Sequence, residues 1–212
     1  VWDGVDCTLY EGGRNAAEAS RIVVEQLKYS AANPSGSWTI ARLVQGTRRA
    51  DAVVNRLARA WSGLQALKPK GTVEIKLVTN QQIAAEVEAA VVAIAKGGVA
   101  PTRKRPDPKA ADEAKLAFAT GLTKYDLPGF ADALRFEGGT GSRFAIEEQV
   151  LSDLTGWTDL ELQQVVADLR QFIRQRMRPE FAGELITKEK VLLGLRLSNI
   201  GALFPCPPQL SR

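Results

Sequence analysis

The 212-residue chain is 45% hydrophobic and 25% charged, which supplies a packed core and argues against disorder. Its 28 Lys+Arg against 24 Asp+Glu leave a net charge of +4, a bias that tolerates polyanions without demanding them. There is no histidine, and the two cysteines, Cys7 and Cys206, stand near opposite ends of the chain, so Ser-His-Asp and Cys-His catalysis, imidazole metal sites and zinc clusters are excluded.

Any catalysis must therefore rest on carboxylates, amides, lysines and hard cations. No segment approaches the roughly 18 apolar residues of a membrane helix, and no basic-then-apolar leader is present. With so few cysteines, the expectation is a cytoplasmic protein with no membrane partner. The chain opens on Val1-Trp2-Asp3, directly before a strand-like pattern and without an initiator Met, and reads as a fragment lacking an N-terminal helix.

Residues 5–10 alternate, Val5, Cys7 and Leu9 on one face and Asp6, Thr8 and Tyr10 on the other, which predicts a strand. A turn-rich stretch around Gly12-Gly13-Arg14-Asn15 leads to a second strand over Ile22–Tyr29, so the pair predicts a hairpin. After the loop Asn33–Gly36, Val53, Val54, Leu57, Trp61 and Leu64 take helical spacing up to Pro69. Thr72–Thr79 alternates as a strand, and Ile83, Val87, Val91 and Ile94 resume a helix closed by Gly97-Gly98. The order strand, strand, helix, strand, helix predicts an α/β core over residues 1–98.

Residues 99–108 form a basic, proline-rich hinge. A helical subdomain is expected over residues 109–202. Asp107-Pro108 opens its first helix, which runs to about Thr120, and Phe144–Leu154 supplies a second. The capping box Thr158–Glu161 begins a third, with the stripe Leu162, Val165, Val166, Leu169, Phe172 and Ile173, and Thr187–Leu195 makes a short fourth. Residues 203–212, with Leu203-Phe204-Pro205 and Pro207-Pro208, read as a linker toward a further domain.

On the second strand Val24, Gln26 and Lys28 share a face, while Glu25, Leu27 and Tyr29 point the other way. If the preceding strand presents Asp6 to the first of these faces, a carboxylate, an amide oxygen and an ammonium converge at one end of a sheet. Asp6, Gln26 and the Leu27 carbonyl are hard oxygen donors suited to Mg²⁺, or to Mn²⁺, and Lys28 can orient water or offset charge on a phosphorane. Asp3 is the rival for the role of Asp6. Arg48, Arg49, Arg56 and Arg59, read as lying along the outer part of the first long helix, are candidate phosphate contacts. Arg170, Arg174, Arg176 and Arg178 are accounted for by a helix C-terminus, and Trp61, Trp157 and Phe172 by packing.

This pattern, Asp6 followed by Gln26-Leu27-Lys28, resembles the PD-(D/E)xK nucleases in the variant where Gln replaces the acidic residue, as in Mrr-like restriction enzymes. Val24–Ser30, Trp38-Thr39-Ile40 and Leu77–Asn80 are similar to the nuclease effectors of bacterial anti-phage systems, CBASS effectors and antiviral STAND NTPases among them. The resemblance implies a restriction-endonuclease-like mixed sheet with flanking helices, catalysis by Asp6, Gln26 and Lys28, and Mg²⁺-dependent hydrolysis of double-stranded DNA. It also implies activation by homo-oligomerisation through a parent protein. The family adds an acidic residue from a preceding helix, which this chain lacks. The competing expectation is a non-catalytic, nuclease-like scaffold or sensor.

Overall fold

The computed structural model describes residues 5–102, 104–140, 148–149, 152, 162–176, 186–187 and 190–191. The chain divides into two compact units, one spanning Trp2–Ser142 and the other Arg143–Arg212 together with Val1.

In the first unit β1 (Cys7–Glu11) and β2 (Arg21–Lys28) form the expected antiparallel hairpin, with Cys7 opposite Glu25 and Glu11 opposite Arg21. Next come β3 (Ser37–Trp38), α1 (Ile40–Leu43), a single 3-10 turn (Arg49–Asp51) and α2 (Val53–Ala66). The chain then forms β4 (Thr72–Thr79), β5 (Gln82–Ile83) and α3 (Ala85–Ala95), and ends the unit with α4 (Asp112–Thr120), α5 (Leu127–Ala133) and β6 (Leu134–Glu137). The main sheet has the order β1-β2-β4-β6, with β2 parallel to β4 and β4 parallel to β6, and β3 and β5 make a separate parallel pair. The fold is mixed α/β, a four-stranded mixed sheet flanked by helices.

Alternation explains β4: Val73, Ile75, Leu77 and Thr79 are buried, and Glu74, Lys76 and Val78 between them are half-buried. In β2, Ile22, Val23 and Val24 are buried in succession, as expected of a central strand covered on both faces. The apolar stripe of α2, including Leu57, Trp61 and Leu64, packs into the core, where Trp61 meets Phe130 of α5 edge-on at a ring separation of 6.1 Å. Gly71 sets the entry to β4. A Cβ there would lie 2.1 Å from the Ser20 carbonyl oxygen, the same oxygen that accepts the Thr72 N–H.

Two expectations are corrected. Residues 109–140 do not begin a separate helical subdomain, because α4 and α5 bury Leu116, Leu127 and Phe130 in the same core and β6 extends the same sheet. Asp107-Pro108 does not open α4 either. The Asp107 carboxylate accepts the Lys109 N–H at 2.7 Å, closing a local turn, and the helix starts at Asp112.

In the second unit α6 (Leu162–Arg176) carries the expected stripe in narrower form, with Val165, Val166 and Phe172 buried and Ile173 exposed. Most of Phe144–Leu154, the capping box Thr158–Glu161, most of Thr187–Leu195 and residues 203–212 lie outside the described residues, as do Asp3, Trp157, Arg178 and Cys206. No helix among the described residues is long and apolar enough to cross a membrane.

Candidate functional site

The period-two alternation of β2 carries Ile22, Val24, Gln26 and Lys28 along its core face. Gln26 is 1% exposed, and Lys28 emerges half-buried where the core ends. Leu27 points the other way and is 51% exposed. The register pairs Thr8 with Val24 and Tyr10 with Ile22, so β1 presents its Thr8 and Tyr10 face to the side of Gln26. Asp6 sits one residue before β1 and is anchored twice. Its N–H donates to the Glu25 carbonyl at 3.0 Å, and its Oδ2 accepts the Leu27 N–H at 2.7 Å.

The carboxylate thus ends the β1–β2 ladder in place of a backbone acceptor and is fixed against the main chain between Gln26 and Lys28. Asp6, Gln26, Leu27 and Lys28 are brought to one strand end. The Gln26 Oε1 is buried and has no hydrogen-bond partner among the described residues, a state that costs about 1–3 kcal/mol when nothing fills it. Among the described residues no three Asp, Glu, Cys or His side chains cluster as a metal site. A cation here would be held by one carboxylate with neutral amide and carbonyl oxygens, and the orphaned Gln26 oxygen fits that role.

Beyond Lys28, the C-terminal edge of the parallel β2–β4 pair is knitted by side chains. Ser30 N–H donates to the Asn80 Oδ1 at 2.9 Å, and the Asn80 Nδ2 returns a bond to the Ser30 carbonyl at 3.0 Å. Trp38 Nε1 donates to the Thr79 Oγ1 at 3.1 Å, and the Gln81 Nε2 donates to the Asn33 carbonyl. Arg42, on α1, lays its guanidinium over Trp38 at 4.1 Å and donates from Nη1 to the Gln81 Oε1 at 2.6 Å and the Ser37 carbonyl at 3.2 Å. Lys28, Trp38, Arg42, Asp51, Arg56 and Gln81 are among the residues lining a pocket of ≈ 300 Å³ here. The carboxyl ends of parallel strands are where open α/β sheets take ligands.

Arg42 and Gln81 were not legible as site residues. The available signal was the four-residue spacing from Trp38, which ends β3, to Arg42 in a helix of only four residues.

The expected arginine row is corrected. Arg48 and Arg49 precede α2 instead of lying on it, Arg48 as the cap of the 3-10 turn and Arg49 as its first residue. Asp51 accepts the Arg48 N–H at 2.9 Å and its guanidinium at 3.3 Å, and these bonds, the backbone one first, hold its carboxyl below the usual carboxylate range. Arg49 lies over Phe118 at 5.6 Å. Arg48 and Arg49 line a second depression of ≈ 650 Å³ with Arg105 and Lys115, whereas Arg56 lines the pocket of Lys28. Of the Arg48–Asp51 ion pair, Asp51 lines the pocket of Lys28 and Arg48 lines the other depression.

Comparison with protein-family models and with curated proteins gives no match to this chain.

Proposed function

We propose that the first unit is a metal-dependent double-stranded DNA endonuclease domain with a restriction-endonuclease-like fold. The observation that carries this reading is the placement of the Asp6 carboxylate, 2.7 Å from the Leu27 N–H, on the strand that bears Gln26 and Lys28. Asp6, the Gln26 side-chain oxygen and the Leu27 carbonyl would hold Mg²⁺, or Mn²⁺ in its place. Such an ion supplies Lewis-acid polarisation of a phosphodiester oxygen and a water of lowered pKa. Lys28 forms no ion pair among the described residues, and its ammonium orients the attacking water and donates to the oxygens that gain charge as the phosphate is attacked. The cations Arg48, Arg49 and Arg56 neutralise strand phosphates.

Within this proposal the domain is the effector of a bacterial anti-phage protein, and assembly of that protein into a homo-oligomer raises its activity by effective concentration. A second reading, a non-catalytic scaffold, draws support from the use of Asp6 to terminate the β1–β2 ladder. Asp6→Asn separates the two, because an asparagine oxygen still accepts the Leu27 N–H but carries no charge. Asp6→Asn and Lys28→Ala should each lower plasmid cleavage at least ~10²-fold, with melting temperatures near wild type. Cleavage should require Mg²⁺ or Mn²⁺ and cease in EDTA. Wild-type rates in both variants would overturn this site assignment, and no cleavage by the wild-type chain in Mg²⁺ or Mn²⁺ would leave the scaffold reading standing.

A further inference from the structure

We propose that the pocket beside Lys28 is a phosphate-binding site, with Arg42 and Arg56 as its clamp, and that it holds a phosphate of the bound DNA strand other than the one attacked. Only the owner of that phosphate rests on the nuclease reading; the chemistry of the pocket stands without it.

Three cations, Lys28, Arg42 and Arg56, line this one small pocket. None has a carboxylate at ion-pair distance among the described residues, and Asp51, the one acidic residue in the lining, is already engaged by Arg48. Cations on a solvated surface turn outward and satisfy their donors with water. Arg56 does not. Its Nη2 donates to the Asp51 carbonyl at 3.3 Å, while its Nε is buried without a hydrogen-bond partner among the described residues. A buried, unpaired guanidinium donor is costly, and the residue that carries it lines this pocket.

Arg42 is preorganised from two sides. Trp38, 5% exposed, supports its guanidinium face, and Gln81, 1% exposed and itself bonded to Asn33, fixes Nη1. One edge of the fork is thereby committed to protein, and the remaining donors stay available in a planar array that matches phosphate oxygens. Little side-chain entropy is left to lose on binding. The wall is completed by Val53, the first residue of α2, whose Ala52 cap offers no side-chain bond to the helix N-terminus, so the helix adds positive potential on the same side. Planar fork, unpaired buried donor and lysine together select an oxyanion of phosphate type.

The test is binding by the full chain in EDTA, where cleavage plays no part, using a short fluorescein-labelled DNA duplex followed by anisotropy over a range of salt. Arg42→Gln and Arg56→Met should each weaken binding about tenfold and reduce the slope of log K against log salt by about one. Arg56→Met removes a buried unpaired donor and leaves the Trp38–Arg42–Gln81 arrangement in place. Its melting temperature should therefore stay at or above wild type, so it reports on the site even if Arg42→Gln folds poorly.

Inorganic phosphate alone distinguishes the source. If it shifts the Arg42 and Arg56 Nε–H resonances and the duplex displaces it, the site takes a strand phosphate. If it shifts them and the duplex does not compete, the pocket is a phosphate site for a free anion and the strand assignment is overturned. Wild-type affinity and slope in both variants, with both resonances unmoved by phosphate, overturn the site itself. Cleavage is not part of this test: Asp6, outside the pocket lining, separates the two readings, because Asp6→Asn with full cleavage and normal pocket binding would overturn the proposed catalytic site and leave the pocket.

Discussion

Glu74 receives Nε and Nη2 of Arg21 at 3.0 and 2.9 Å, and this paired bond, before any other influence, holds its carboxyl below the usual glutamate range. Arg21 also meets Glu11 at 2.8 Å and stays protonated throughout. A depressed carboxyl contributes stability that is present above its unfolded pKa of about 4.3 and is lost as pH falls through the folded value. Acid unfolding followed by circular dichroism should therefore show Glu74→Gln less sensitive than wild type below that range. With Glu74 25% and Arg21 37% exposed, the difference should be on the order of 0.5–1 kcal/mol. Gln26 sets a contrary case. Gln26→Met replaces an orphaned buried oxygen by an apolar chain of similar size, so the melting temperature should hold or rise while cleavage falls. Lower stability with unchanged cleavage would mean that this oxygen has a structural partner. Alternation alone placed Gln26 and Lys28 on one face, because it depends only on β2 being a strand. The bond from Leu27 to Asp6 was not legible, since it depends on where β1 stops.

At the scale of elements, legibility followed periodicity. Thr72–Thr79 was read to the residue because every second side chain is buried, whereas β6 has four residues directly after a helix and offers no repeat to detect. The two-residue β3 and β5 leave no pattern at all. Arg48 and Arg49 were read as lying along the first long helix, but Ala52 before it is extended and α2 begins only at Val53. Two junctions carry predictions. The buried Asn55 donates from Nδ2 to the Ala119 and Thr120 carbonyls at 3.1 and 2.8 Å, closing the end of α4 just before Gly121, whose φ of 74° suits a glycine terminus. Asn55→Ala should cost about 1–3 kcal/mol in chemical denaturation by stranding those carbonyls. Gly71→Ala forces a methyl group onto the Ser20 carbonyl, where backbone must shift. Its loss should be of similar or larger size, and a fall in the melting temperature is the measurement. A neutral Gly71→Ala would mean that the entry to β4 is not tightly packed.

For the whole molecule, the expected division at residues 98–109 failed because α4 and α5 are amphipathic helices like any other, and nothing in their composition says which core they enter. The structure answers through Leu116, Phe130 and Leu134, all buried with the sheet. A chain ending at residue 142 should accordingly unfold in one cooperative transition, and a chain ending at residue 98, stripped of α4, α5 and β6, should not. A sharp transition from the shorter fragment would restore the earlier boundary. The parallel arrangement of β2 with β4 has a further consequence in time. Fifty residues separate Ser30 from Asn80, which join hands across the end of that pair, and β6 arrives later still. Closing so long a loop comes before most of its reward, so folding should be slow for a chain of this size. On the ribosome the hairpin of β1 and β2 emerges with its central strand bare on one side, and it stays so until α2 and β4 have been made. That interval, and not the finished fold, is when this protein is most exposed to mispairing with a neighbour.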